Sequence, residues 1–189
     1  KDYGTSFADK NDAGTPSYQV RGSFLLDKDE PIYGVGQVMA GKFNRRNSMH
    51  HMQNENMFTY SPYFMSPVKG YAVYWDNYSI SEFMDTPQEL AFQSLGHCAD
   101  YYFMYGGNAD GIIAQVRDLT GHSPMLPLWA YGFFQSKERY HTQEESLNVL
   151  KKYRELQIPI DCMIQDWRYW PEYQKTDSAW NSHLSLIHI

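Results

Sequence analysis

Cysteine is scarce in this chain. Its 189 residues include two, Cys98 and Cys162, too few for a disulfide framework or a thiolate metal site. Each lies in or beside an apolar stretch, where a free thiol behaves as a small hydrophobe, so cysteine usage leaves the redox compartment open. Positive charge is also short: 16 Lys and Arg stand against 22 Asp and Glu, a formal charge of -6. Arg45-Arg46 is an isolated basic pair, and the acidic balance without a basic stripe argues against a nucleic-acid partner, because phosphate binding needs clustered cations. No run approaches the roughly 20 apolar residues that cross a bilayer, and mean hydropathy is -0.60, which excludes a membrane-spanning helix. From Lys1 onward there is no basic-then-apolar leader pattern. What is plentiful is aromatic surface: 16 Tyr, 10 Phe and 5 Trp make up 16% of the chain. Such side chains fill cores by default, but their flat faces also stack on sugar rings, so a carbohydrate partner enters consideration.

The first half reads as short strands separated by turn residues. Gln19 to Leu26 is apolar and closes on Asp27-Lys28-Asp29-Glu30-Pro31; Tyr71 to Trp75 closes on Asp76-Asn77; Ala99 to Tyr105 closes on Gly106-Gly107. Strands at this spacing predict an antiparallel β-sandwich. Gly34-Val35-Gly36 reads as a turn or bulge, the Met-rich segment Met49 to Met65 as a loop packed on the core, and His50-His51 as part of a solvated loop.

The pattern then changes. Asp110 to Leu119 has helical spacing with Gly121 as its stop, and Ser123-Pro124-Met125-Leu126-Pro127 marks a domain boundary, giving a sandwich over residues 1–122 and a second domain over 123–189. Trp129 to Phe134 reads as a strand buried on both faces. Thr142-Gln143-Glu144-Glu145 is a capping box opening a helix to about Gln157, and Ile160 to Ile164 begins a second buried strand. Strand, helix, strand of this kind is a parallel βαβ unit. A (β/α)8 barrel takes about 250 residues, whereas 65 follow Pro124, so the chain is expected to be the front end of something longer.

Chemistry in α/β folds sits just past the strand ends. Asp166 is the sharpest candidate, a carboxylate after an apolar strand, followed by Trp167, Tyr169 and Trp170. Either it accepts hydrogen bonds from ligand hydroxyls beside a packing Trp, or it caps the next turn. Ser136 lacks the elbow of a nucleophilic serine, and no carboxylate joins His50-His51 at metal-ligand spacing; no metal and no cofactor is expected.

The ordered strings Tyr33 to Gln37, Pro62 to Ser66, Gly70 to Asn77, Asp100 to Phe103, Leu119 to Gly121, Trp129 to Tyr140, Thr142 to Glu145, and Ile158 to Trp170 resemble glycoside hydrolase family 31, the α-glucosidases and α-xylosidases. The resemblance implies a β-sandwich followed by the first βαβ unit of a (β/α)8 TIM-type barrel, here truncated. It implies that Asp166 holds a hydroxyl of the -1 sugar, that Trp167 lines that pocket, and that Arg139 and Tyr140 stand at its rim. Gln53 to Asn56 is similar to the sandwich loop that helps close the family's site, with Asn56 as its contact. The substrate implied is an oligosaccharide ending in α-linked xylose or glucose, and Gln135 to Tyr140 inclines towards xylose. The family's catalytic pair is two aspartates on later strands, outside these residues, so no catalytic residue is assigned and the chain alone is expected to be inactive. His183 to Ile189 departs from the family pattern and carries no assignment. The alternative function is a stand-alone carbohydrate-binding sandwich without catalysis, and a protein-interaction β-domain is a third class. Compartment and oligomeric state are not written in the residues.

Overall fold

The computed structural model describes residues 2–168. The chain forms two compact units, Lys1–Ser123 and Pro124–Ile189. The first contains β1 (Asp2–Asp12), β2 (Thr15–Phe24), β3 (Tyr33–Gln37), β4 (Met49–Met52), β5 (Thr59–Ser66), β6 (Tyr71–Trp75), β7 (Ser81–Asp85), β8 (Leu90–Gly96), β9 (Tyr101–Tyr105) and helix α1 (Ala109–Thr120). Its strands form a five-stranded sheet in the order β1-β2-β8-β7-β4 and a four-stranded sheet in the order β3-β5-β6-β9. All neighbours in both sheets are antiparallel.

The alternating apolar residues of the strands explain why the sheets pack. Val20, Phe24, Phe83, Leu90 and Phe92 from one sheet and Val35, Phe64, Val73 and Trp75 from the other form a single buried cluster, as a sandwich requires. Phe64 meets Phe24, Phe83 and Phe92 at ring-centroid distances of 6.2, 6.4 and 6.1 Å. Trp75 is fully buried and satisfies its one polar atom by donating Nε1–H to Ser94 Oγ at 2.6 Å. The opposite face of the smaller sheet is covered by α1, where Ile112 packs with Ala72 and Met104. Phe24, Phe64, Trp75, Phe83 and Phe92 are therefore core, whereas other aromatics of this unit, Phe7, Phe43, Tyr78, Phe103 and Tyr105 among them, are exposed. The helix opens at Asn108, whose side chain accepts from Gly111 N–H, and stops at Gly121.

Two short segments show how backbone decides placement. The Gly34-Val35-Gly36 stretch is a bulge inside β3, with the register shifting between Gly34 and Gly36. Gly36 has φ +91°, and a Cβ there would lie 2.2 Å from Thr59 O, so only glycine fits. The expectation of a solvated loop at His50-His51 is corrected: both lie in β4, paired with Phe83 and Glu82 of β7. A strand sends adjacent side chains to opposite faces, so His50 is buried and His51 exposed. Much of the Met-rich segment is likewise strand, in β4 and β5, and Cys98 is exposed rather than packed.

In the second unit the expected strand at Trp129 to Phe134 is also corrected. Leu128–Tyr131 is a 3-10 turn, and the strand is β10 (Phe134–Lys137). Pro127 and Gly132 flank the turn, and a short apolar run cannot reveal by periodicity whether it coils or extends. Helix α2 (Gln143–Glu155) follows, then β11 (Cys162–Gln165), parallel to β10 from Phe134↔Cys162 to Lys137↔Gln165. The Thr142 hydroxyl accepts from Glu145 N–H at 3.0 Å. The Glu145 carboxylate reaches back one residue further than a capping box predicts, accepting from His141 N–H at 2.7 Å. Neither strand is buried on both faces: all eight residues of β10 and β11 are half-buried or exposed.

Candidate functional site

Because β10 and β11 run parallel, their C-terminal ends open at one edge, and the residues that follow them meet there. Gln165, the last residue of β11, clamps the chain after β10. Its Oε1 accepts from Tyr140 N–H at 2.8 Å and its Nε2 donates to Tyr140 O at 3.2 Å. Arg168 N–H donates to Glu138 O at 3.3 Å, and its guanidinium pairs with the Glu138 carboxylate at 3.2 Å. Asp166 N–H donates to Lys137 O at 3.4 Å. Main-chain and side-chain bonds thus hold residues 138–140 against 166–168.

This edge gathers Arg139, Tyr140, Asp166 and Trp167. Asp166 is exposed, and its Oδ1 accepts from Trp167 N–H at 2.7 Å, which fixes the carboxylate immediately past the strand. Trp167 is 49% exposed, Arg139 is half-buried, and Tyr140 is buried with its ring 5.1 Å from Lys137 Nζ. The Tyr140 hydroxyl has no hydrogen-bond partner among the described residues. Lys137 also pairs with Glu145 at 2.7 Å. That ammonium, together with the His141 N–H, holds the Glu145 carboxyl below its ordinary value. Tyr153 OH donates to Gln135 Oε1 at 2.5 Å, tying α2 to β10.

Sequence reasoning did not assign a role to Gln165. A carboxamide ending an apolar strand is its only signal, and its use as a two-way clamp depends on the partner loop. Chemically, the edge offers an exposed anionic acceptor beside an exposed indole, which suits a neutral hydroxylated ligand with an apolar face.

Asn56 belongs to the first unit. It is exposed in the tight turn between Glu55 and Phe58, which exchange main-chain hydrogen bonds at 3.3 and 3.1 Å, with Met57 at φ +75°. On the strand before it, His51 pairs with Glu82 at 2.5 Å, and that carboxylate raises the imidazole's pKa. Burial, then the Arg45 charge, lowers that of His50. No group of three or more metal-binding side chains occurs among the described residues, and none of their helices is long and apolar enough to cross a membrane.

The architecture is that of an antiparallel sandwich followed by a parallel βαβ unit with polar residues at its strand ends. Comparisons with known proteins identify that combination. Residues 123–184 match the Glycosyl hydrolases family 31 TIM-barrel domain. Over 176 residues the chain is 37% identical to the α-xylosidase of Saccharolobus solfataricus, covering 88% of this chain and 23% of that protein. It is 28% identical to α-glucosidase 2 of Bacillus thermoamyloliquefaciens, covering 79% and 21%. Among solved structures, a GH31 α-xylosidase from a soil metagenome, complexed with xylose, superposes with a TM-score of 0.75 at 29% identity, over 88% of this chain and 24% of that one. Residues 123–184 thus match the barrel domain of glycoside hydrolase family 31, and the chain as a whole is similar to α-xylosidases and α-glucosidases. It spans less than a quarter of the length of these relatives.

Proposed function

We propose that the chain is part of a retaining α-glycosidase that releases terminal α-linked xylose from oligosaccharides. In this reading residues 1–122 are its N-terminal sandwich and 123–189 begin a (β/α)8 barrel. The reading is carried by Asp166, an exposed carboxylate past the C-terminal end of a parallel strand, where barrels place their chemistry. There it accepts hydrogen bonds from sugar hydroxyls while Trp167 packs on the ring's C–H face. Arg139 and Tyr140 shape the same edge, and Asn56 is a further substrate contact from an exposed turn. Retaining hydrolysis needs two carboxyl groups about 5–5.5 Å apart, one nucleophile and one acid/base. We assign neither to these residues. Xylose is favoured over glucose by the 37% identity to an α-xylosidase against 28% to an α-glucosidase.

The test is kinetic and stereochemical. The full-length enzyme is assayed on p-nitrophenyl α-xyloside and α-glucoside, with the first-formed anomer followed by proton NMR. A higher kcat/KM on the xyloside with α-xylose released first is expected. A preference for the glucoside would overturn the specificity, and β-xylose appearing first would overturn the retaining mechanism.

A further inference from the structure

Lys137↔Gln165 is the last pairing between β10 and β11. Past it the main chain after β11 still holds the main chain after β10, through Asp166 N–H to Lys137 O and Arg168 N–H to Glu138 O. Neither bond reaches Tyr140, which lies beyond the end of β10. The Gln165 side chain supplies that reach. Its carboxamide meets Tyr140 N–H and Tyr140 O at 2.8 and 3.2 Å, as the backbone of a neighbouring strand would. The orientation is fixed by chemistry, since a main-chain N–H only donates and a carbonyl only accepts. A side chain of this length needs an acceptor and a donor on one carbon to do both, and glutamate at neutral pH lacks the donor.

Tyr140 is 6% exposed, so its N–H and C=O are shielded from water. Without the carboxamide the 138–140 segment must shift to satisfy them. Gln165 is also the residue before Asp166, whose carboxylate is held by Trp167 N–H. One side chain therefore sets the separation between Arg139 and Tyr140 on one side of the edge and Asp166 and Trp167 on the other. We infer that Gln165 is a positioning residue for the glycosidase reaction, acting through these four neighbours and not through contact with the sugar. The inference rests on the function proposed above for this edge. A misplacement of about 1 Å costs on the order of a hundredfold in rate, so loss of the clamp predicts a fall in kcat/KM of at least about tenfold, with a raised KM because the residues that move are those that hold the sugar.

Gln165→Leu and Gln165→Glu in the full-length enzyme test it. Gln165→Leu removes both bonds. Gln165→Glu keeps an acceptor for Tyr140 N–H but turns a second oxygen towards Tyr140 O; once protonated, the introduced carboxyl donates to that carbonyl and remakes the clamp. The carbonyl raises the carboxyl's pKa above its ordinary value of about 4.3. The kcat/KM ratio of Gln165→Glu to the unaltered enzyme should therefore climb as pH falls towards that range, while the ratio for Gln165→Leu stays flat. Lys137, Glu138, Glu145, Asp166 and Arg168, the charged groups around the edge, are common to all three enzymes, so their own titration divides out. Amide hydrogen exchange over residues 138–141 should quicken in both variants at neutral pH. If Gln165→Leu does not fold, Gln165→Glu decides alone. An unchanged KM with kcat lowered only in step with the folded fraction would overturn the inference, as would a flat ratio for Gln165→Glu or unchanged exchange at 138–141. An unaltered enzyme that cleaves neither xyloside nor glucoside would instead overturn the proposed function, and the exchange comparison would still decide whether Gln165 fixes this edge.

Discussion

The carboxylate of Asp166 and a carboxamide in its place differ in charge but share an acceptor oxygen. Asp166→Asn keeps the acceptor for Trp167 N–H, so the thermal midpoint of the full-length enzyme should stay where it is. Charge-assisted hydrogen bonds contribute about 1.5–3 kcal/mol, so losing one should lower kcat/KM by about ten- to a hundredfold. Near-wild-type kinetics would remove Asp166 from the substrate site and leave it as a turn residue, for which Asn is equally suited. The two adjacent histidines offer a second test at this scale. His50, with a pKa lowered from 6.5 mainly by burial, contributes stability that is full above 6.5 and is lost as pH falls through its lowered value. His51, raised from 6.5 by Glu82, contributes stability that is full below 6.5 and is lost as pH rises through its raised value. Imidazole NMR titration, assigned with His50→Gln and His51→Gln, should place the two pKa values on opposite sides of 6.5. Glu82→Gln should bring His51 back down. A common midpoint for the pair would contradict the buried and ion-paired environments.

At the scale of elements, the β3 bulge is the most demanding local structure. Gly36→Ala forces an L side chain into φ +91° and drives its Cβ against Thr59 O at 2.2 Å. Backbone strain alone costs about 1–3 kcal/mol, and the clash adds to it, so urea unfolding should show a loss beyond that range or no cooperative transition. Gly41 also has positive φ, at +62°, but open space around it; Gly41→Ala should cost no more than the backbone term. Equal costs at the two sites would show that β3 can shift away from β5. Helix α2 presents the converse case, because local signals suffice there. Thr142 caps it, Glu144 and Glu145 occupy its first turn, and Lys152 and Arg154 its last, all favourable to the helix dipole.

At the scale of the whole chain, the two units differ in how well they bury themselves. The first encloses a core with Trp75, Phe64, Phe83 and Phe92 fully buried, whereas Leu128 is 89% exposed and Trp129, Tyr131, Leu147 and Leu156 are also exposed. Exposed apolar side chains, where they gather into patches, mark interaction surfaces or association hazards. The purified chain should bind 1-anilinonaphthalene-8-sulfonate and self-associate, and it should show no turnover of p-nitrophenyl α-xyloside or α-glucoside, since no catalytic carboxyl pair is assigned to it. Turnover that co-purifies to constant specific activity would show that a catalytic pair lies within these residues.

Residue order alone determined the elements whose cause is local. The strand at Tyr71–Trp75, the helix between Asn108 and Gly121, the cap at Thr142 and the bulge at Gly34–Gly36 all follow from apolar spacing and from glycine and hydroxyl chemistry within a few residues. The family resemblance was also legible, because it rests on ordered strings rather than on shape. Tertiary structure decided what depends on distant partners. Whether the Trp129–Phe134 run coils or extends was settled where β10 takes β11 as its neighbour, and His50 entered the core because β7 fixed the register of β4. The Gln165–Tyr140 clamp joins residues 25 positions apart. Backbone propensity acts over a turn or two of chain, whereas hydrogen-bonded register and burial are set by whatever the fold brings alongside.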